Sequence, residues 1–594
     1  MNAPQPIRAL TPFGETQITQ RTDRLWCGAR MVLQWGLFLT MVTAGGVGTA
    51  HAQVPTIPGG ADINRVQPLP DKLLPRLSPQ KPAVIDTGAL PVPEGLNKIS
   101  FELKAVKIEG ATFFPLQEIA KLYETQLGQK VSLDLVWELA NRITEKYRNA
   151  GYFLSRAFVP TQKIEDGIIT LRVVEGYIAT VEWEGDLKNR VAASSIVQSL
   201  IAELKQVRPL NSASIESYLL RLNDLPGLSF RALIKPSKET DIYSGATALV
   251  LTPSQKDGKG EMRLSNNGSR FLGPNLANLS YEDSFFSMQQ SSVSLQSSLP
   301  SEELRFGSLG HVVVLSPRWM LGMRAGYTGA NPGAGLRNFD IRSTSKDLGI
   351  ELTYKYIRQR IENLDLTLGL DSKDTASDLN GNSSPLVRDH ARALRGSISY
   401  NTLDRWNGQH DATVKFSRGL TLLDGSRVGD NNLSRAQANP AFSKAELSYK
   451  RQQLVGDHYL LTNQLAGQLA SDPLLVSEEF GYGGSSLGRA YDPSEISGDH
   501  GLSGGLELRY RGFSSSSGFS PDPYVFYDMG KTWNKDRGGS NPLAASTGVG
   551  LALSTENGFT GNLSLAWPLI KSIGDPLYGA PRDPRLLFEA SQKF

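Results

Sequence analysis

The chain has 594 residues, with 62 Lys and Arg against 59 Asp and Glu and a formal charge of +3. That length exceeds what one hydrophobic core usually supports, so several domains are expected. So small a net charge gives no electrostatic case for a nucleic-acid partner.

The first element is a targeting segment. Arg21, Arg24 and Arg30 precede the apolar run from Met31 to Gly48, and Ala50-His51-Ala52 forms a small-x-small site. Residues 1–52 therefore read as a secretory signal peptide cut between Ala52 and Gln53, with either Met1 or Met31 as its start. The run is too short and glycine-rich for a membrane anchor. The single cysteine, Cys27, falls inside it, so the mature chain is expected to rely on packing and hydrogen bonds without disulfides. Residues 53–98 follow as an extended linker, since prolines at 68, 70, 75 and 79 stop any long helix.

At Ile99 the pattern changes. "FELKAVKIEG" alternates like a strand, and "PLQEIAKLYETQLGQ" and "SLDLVWELANRITEKYRNAGY" space apolar residues as amphipathic helices do. "SRAFVPTQKIEDG" and "IITLRVVEGY" then read as a hairpin turning at Glu165-Asp166-Gly167. Residues 99–176 form one β-α-α-β-β unit, and residues 177–257 repeat the order, each a small sheet covered by helices.

From 258 to 594 the helical signal vanishes. Leu348, Ile350, Leu352, Tyr354 and Tyr356 alternate with polar residues or glycine, as do Trp319 to Tyr327, Leu364 to Leu370, Leu506 to Tyr510 and Phe559 to Trp567. Alternation fits a soluble sandwich or a transmembrane β-barrel, whose apolar row faces lipid and whose polar row faces a wet lumen. The size of the region, the aromatics near strand ends (Trp319, Tyr327, Tyr356, Trp567) and the terminal Phe594 on an alternating strand favour the barrel. Phe594 in that place looks like an outer-membrane assembly signal. At roughly 20 residues per strand and loop, the region holds about 16 antiparallel strands.

Two motifs carry a family resemblance: "GRAY", Gly488 to Tyr491, after "SEEFGYGG", and "FYDMG", Phe526 to Gly530. With the leader, linker, repeats and barrel, they make the chain similar to the outer-membrane transporters of two-partner secretion, the TpsB type or haemolysin secretion/activation family. The family's repeats are periplasmic POTRA domains. Its sixth extracellular loop ends in a Val-Arg-Gly-Tyr/Phe-type tip, which Gly488, Arg489, Ala490 and Tyr491 match in part. Its later F-x-D-x-G strand matches Phe526, Asp528 and Gly530. On "YVFYDMG", Val525, Tyr527 and Met529 suit the lipid face, which turns Phe526, Asp528 and Gly530 inward. A carboxylate there needs a partner, and Arg489 on a loop folded into the lumen would meet it in a two-pronged contact, with Gly530 leaving room for the approach. Ala490 in place of the family's glycine would be mildly strained if that position takes a positive φ.

The resemblance implies export of a large secreted exoprotein (an adhesin, haemolysin or contact-dependent toxin) across the outer membrane. The POTRA domains would catch the unfolded partner by strand addition along Ser155–Gln162 and Ile168–Val174. Outer-membrane lipids and the barrel-assembly machinery are the other partners it implies. The alternative in the same superfamily is a barrel-insertion factor. The family often carries a plug helix before its linker; the candidate here, "GGADINRVQPLPDKLLPRL", holds three prolines and allows only a short helix.

Enzyme signals are weak. "GLSGG", Gly501 to Gly505, matches G-x-S-x-G in letters but lacks the strand–turn–helix that a nucleophile elbow requires. "DGSRVGDNN" is acidic yet lacks the ligand order of a calcium loop. No catalytic residue, metal site, nucleotide or other cofactor is expected.

Overall fold

The computed structural model describes residues 58–65, 99–237, 244–286, 288–300, 302–380, 383–513, 518–536, 541–574, 576–577 and 579–594. The expected leader, its cleavage site at Ala52 and Gln53, and linker residues 66–98 lie outside the described residues.

The first repeat contains β1 (Ser100–Glu102), β2 (Ala105–Glu109), β3 (Lys130–Ser132), β4 (Arg156–Phe158) and β5 (Ile168–Val174). The helix Leu133–Asn149 buries Val136, Leu139, Ala140, Ile143 and Tyr147, the face its three- and four-residue spacing defines. These side chains pack on Ile169 and Leu171 of the sheet and on Leu103 between β1 and β2, each large one contributing about 1.5–3 kcal/mol of transfer free energy. The longer first helix read from the sequence is cut to Leu116–Ala120 and a 3-10 turn at Glu124–Gln126. "FELKAVKIEG" likewise divides into β1, which pairs with β3, and β2, which joins the main sheet.

The sheet order is β2-β5-β4, with β2 parallel and β4 antiparallel to β5. This corrects one expectation. Ile168–Val174 is the central strand rather than an edge, because the chain returns from the helices as β4, one place away from β2, and the hairpin that follows inserts β5 between them. Only three residues of Ser155–Gln162 form the edge strand. Beyond Phe158 and Pro160, the Gln162 side chain accepts from Thr170 N–H (2.6 Å) and donates to Thr170 C=O (2.8 Å), occupying the groups a longer strand would use.

The second repeat has β6 (Tyr177–Trp183), β7 (Leu228–Pro236) and β8 (Ala246–Gln255) in the same arrangement, β6-β8-β7. Its helices are Lys188–Ala192, Ser195–Gln206 and Ser212–Asn223. Ser194 and Asn211 cap the last two by accepting from Val197 N–H and Ser214 N–H. Its core of Leu200, Leu204, Leu222, Leu249 and Leu251 is continuous with Met288 of a barrel turn and with Val314 and Met320 at strand ends beside another. The Asp224 carboxylate sits at the same joint. It accepts from Arg358 Nε (2.7 Å) and Nη2 (2.8 Å) and from Lys355 Nζ (2.8 Å), while Ser217 Oγ donates to Arg358 C=O at 2.8 Å.

Sixteen antiparallel strands close into a barrel. They are β9 (Lys259–Ser265), β10 (Asn275–Phe286), β11 (Gln289–Leu299), β12 (Leu304–Val314), β13 (Trp319–Ala330), β14 (Arg342–Arg358), β15 (Glu362–Leu379), β16 (Ser384–Leu403), β17 (Gln409–Gly419), β18 (Ser443–Val455), β19 (Tyr459–Ala470), β22 (His500–Tyr510), β23 (Phe519–Trp533), β24 (Leu543–Thr555), β25 (Phe559–Pro568) and β26 (Arg585–Lys593). Closure gives each barrel strand a hydrogen-bonded neighbour on both sides and leaves no open sheet edge, as a lipid environment demands. The apolar rows face outward without partners: Leu309, Leu348, Leu368, Phe416 and Leu469 are all more than half exposed. Polar and charged side chains turn inward and pair there, as Arg395 does with Asp371 at 2.7 Å. Since β9 leaves the second repeat, that repeat marks the periplasmic end and residues 471–499 form the sixth loop at the far end.

Candidate functional site: the sixth loop in the lumen

The sixth loop folds back into the barrel. Its arms pair as a ribbon of β20 (Phe480–Tyr482) and β21 (Ile496–Gly498) lying against β23. The tip is almost dry: Arg489 is 8% exposed, and Ala490 and Tyr491 are fully buried.

Register explains which side chains meet it. Asp528 lies opposite Gly505 and Ser546, and Phe526 opposite Glu507 and Gly548, so all six share the lumen face of β22, β23 and β24. Arg489 Nη1 donates to Glu507 Oε2 at 2.7 Å, and its Nε stands 3.3 Å from Asp528 Oδ2. The guanidinium lies 3.9 Å from the Phe526 ring centroid. The fully buried Asp528 carboxylate also accepts from the backbone N–H of Gly488 (3.2 Å) and Arg489 (3.4 Å).

The contact is therefore not the two-pronged pair with Asp528 that the motif suggests. The fork divides between two carboxylates, with Phe526 supporting it from one face. Glu507 escaped sequence reasoning because its inward direction depends on strand register; its alternation with Leu506 and Leu508 was the available signal. Gly530 makes room for Tyr482 rather than for the tip, since a Cβ there would overlap the Tyr482 ring. Gly505 plays a similar part opposite, where a Cβ would stand 2.8 Å from Asp528 Oδ1. Ala490 has no positive φ and carries no strain; the left-handed residue is Gly488, at φ +83°. Tyr491 donates through its hydroxyl to Ala545 C=O (3.0 Å) and Lys571 C=O (2.9 Å).

The acids of "SEEF" are further anchors. Glu478 pairs with Arg395 (2.7 Å) and Lys444 (2.9 Å) on the lumen wall. Glu479 pairs with Arg435 (2.8 Å), which also meets Asp499 (2.6 Å) and Asp536. Beside the tip, Pro58–Arg65 forms two 3-10 turns inside the barrel, where the sequence allowed a short helix. Ser269 Oγ donates to Gly60 C=O, and the hydroxyls of Ser345 (3.1 Å) and Thr375 (2.8 Å) donate to Asn64 Oδ1.

Phe594 closes the seam from the periplasmic side, exchanging both backbone hydrogen bonds with Gly260 (2.8 and 3.0 Å). "GLSGG" lies wholly within β22, with Ser503 buried in the strand and no nucleophile elbow. Among the described residues no group of three or more His, Cys, Asp or Glu side chains is arranged to hold a metal ion.

Comparison with known proteins agrees with this architecture. Residues 259–553 match the family model described as haemolysin secretion/activation protein ShlB/FhaC/HecB, and residues 101–176 match the ShlB-type POTRA domain. The heme/hemopexin transporter protein HuxB of Haemophilus influenzae is 23% identical over 479 residues, covering 77% of this chain and 81% of that protein. The outer membrane transporter CdiB of Dickeya dadantii (strain 3937) is 23% identical over 444 residues, covering 70% and 75%. In fold, the solved structure of CdiB from Escherichia coli superposes with a TM-score of 0.65 at 19% identity, over 86% of this chain and 93% of that one. The chain belongs to the haemolysin secretion/activation family, the outer-membrane transporters of two-partner secretion, with its α/β repeats in the periplasm.

Proposed function

We propose that the repeats, residues 99–176 and 177–257, capture an unfolded, large secreted exoprotein and pass it to the barrel, residues 258–594, and that loop 6 guards the lumen through Arg489. The observation that carries this reading is the placement of β7. Among the described residues it is paired on one side only, and it is the longest edge of either repeat. Its first residues, Leu228 and Phe230, share a core with Met288 and Val314 at the barrel rim. An extended segment added to β7 would begin at the barrel mouth, with main-chain hydrogen bonds supplying affinity and exposed Leu233 a side-chain contact. The short β4 edge serves as an accessory site.

Beyond the capture edge, the path runs through the polar interior, so loop 6 and the Pro58–Arg65 segment must yield during passage. Their anchors are ion pairs and hydrogen bonds, which exchange reversibly. The cargo is an adhesin, haemolysin or contact-dependent toxin. The leader, cut between Ala52 and Gln53, delivers the chain to the periplasm. The terminal Phe594, seated on Gly260, presents the signal read by the barrel-assembly machinery. No enzymatic step enters this reading.

The test is a photo-cross-linking residue at position 233 in cells that co-express the partner. An adduct between transporter and partner is expected under illumination. Export at full rate with no adduct at 233, but with one on the opposite edge at β6, would overturn the assignment of β7.

A further inference from the structure

We propose that Asp492, beside the loop tip, is a positioning residue that staples the seam of the barrel, where the first strand meets the last. Every barrel needs one closure between chain ends, and here it is among the shortest pairings. Five residue pairs join β26 to β9, continued by backbone hydrogen bonds of Gly260 with Phe594 and of Asn266 with Phe588, against eight pairs between β25 and β26. Fewer ladder hydrogen bonds leave that closure more dependent on side chains.

The Asn266 side chain supplies one such contact, donating to Leu586 C=O (2.8 Å) and accepting from Phe588 N–H (2.7 Å), and Asp492 supplies another from the lumen. Its Oδ2 accepts from Arg270, through backbone N–H at 3.0 Å and Nη1 at 2.9 Å. Its Oδ1 accepts from Arg585 Nη1 at 2.9 Å. Arg270 lies in the turn that follows β9, and Arg585 is the first residue of β26. One carboxylate therefore grips both sides of the seam, one oxygen to each. It is 7% exposed, and the Arg270 and Arg585 side chains are 10% and 19% exposed.

Charge makes the arrangement dependent on Asp492. Arg585 also donates to the carbonyls of Asn266 (3.3 Å) and Gly268 (2.9 Å), and so reaches across the seam by itself. Without the carboxylate, two guanidiniums would face each other across the closure. Glu495 would still face Arg270 at 3.0 Å, but it is tied to Lys571 at 2.6 Å. Removing one member of a buried charge group leaves the others uncompensated. The same spot supports the Pro58–Arg65 segment, since Ser269 donates to Gly60 and a Cβ on Gly60 would stand 3.6 Å from Pro493 C=O. Loop tip and seam thus meet at one carboxylate, with the amino-terminal segment packed beside it.

This proposal rests on the barrel's closure and not on the export reading, and its readout is mechanical. A Leu264→Cys/Ala590→Cys pair, partners in the β9–β26 register, is placed in a Cys27→Ser background and oxidised in outer membranes. The parent should cross-link readily. Asp492→Ala should cross-link several-fold more slowly and should lower the temperature at which the folded barrel loses its gel shift. Preformed disulfide should restore that temperature, because the lost function is seam closure. Unchanged cross-linking, or a lowered temperature that the disulfide does not restore, would overturn the proposal. If Asp492→Ala does not assemble, Arg270→Ala removes half the staple and is held to the same two outcomes.

Discussion

Replacing Arg489 with alanine tests how loop 6 is held. In the native lumen the guanidinium meets Glu507 at 2.7 Å and Asp528 at 3.3 Å, stacked 3.9 Å from the Phe526 centroid. Alanine keeps the backbone N–H groups that reach Asp528 but leaves that buried carboxylate without its cation, while Glu507 keeps only Arg509 at 2.8 Å. Losing one partner of a buried ion pair costs about 3–5 kcal/mol, and a desolvated cation–π contact is worth about 2 kcal/mol, partly the same energy. Taking about 3 kcal/mol as the lower figure, the undocked loop becomes about a hundredfold more populated. Hydrogen exchange in nanodiscs reads this directly. The amides of Gly484, Gly488 and Tyr491 are bonded or packed in the docked loop and should exchange about a hundredfold faster in the variant. Arg489→Lys should fall between, since an ammonium offers no fork and stacks less well. Protection within about threefold of the parent would refute the reasoning, because local opening would then not depend on the cation.

Other consequences concern the joint and the wall. Burial raises the Asp224 pKa, but the hydrogen bonds and charges of Arg358 and Lys355 outweigh it, leaving the carboxyl below its ordinary range. A depressed pKa stabilises above the unfolded value and is lost as pH falls through the folded one, so the joint should hold at neutral pH and loosen only below about pH 4. Asp224→Ala should loosen it at every pH, which spin-label distances between the second repeat and the barrel would show as a broadened distribution; an unchanged distribution would count against the clamp. Gly530→Ala should push Tyr482 off the wall at a cost of about 1–3 kcal/mol, seen as faster amide exchange in residues 480–484; normal protection there would mean that the ring has room to shift.

The parts legible in the sequence were those whose signal is local. Period-two rows such as Leu348 to Tyr356 announced lipid-facing strands, and the spacing of Val136, Leu139, Ile143 and Tyr147 announced the buried helix face. What was not legible depends on pairing between distant segments. Ile168–Val174 looks like half of a hairpin, and only the parallel partner Ala105–Glu109 makes it a central strand. Arg489 and Asp528 stood out by motif, whereas Glu507 is an ordinary polar residue of an alternating strand until register sets it opposite Phe526. Asp224 in "LNDLPG" reads as a turn acid after a helix; its partners, Lys355 and Arg358, lie more than 130 residues away.

The most direct test of the account asks whether cargo passes through the barrel. Thr413 on β17 pairs with Ser399 across the lumen face, their hydroxyls 3.2 Å apart, so a photo-cross-linker at position 413 points into the proposed path. A partner stalled by a disulfide-locked carboxy-terminal domain should form an adduct there, and the adduct should vanish when export completes. Surface delivery of the partner with no adduct from position 413, while a linker on the repeats still captures it, would contradict passage through the lumen.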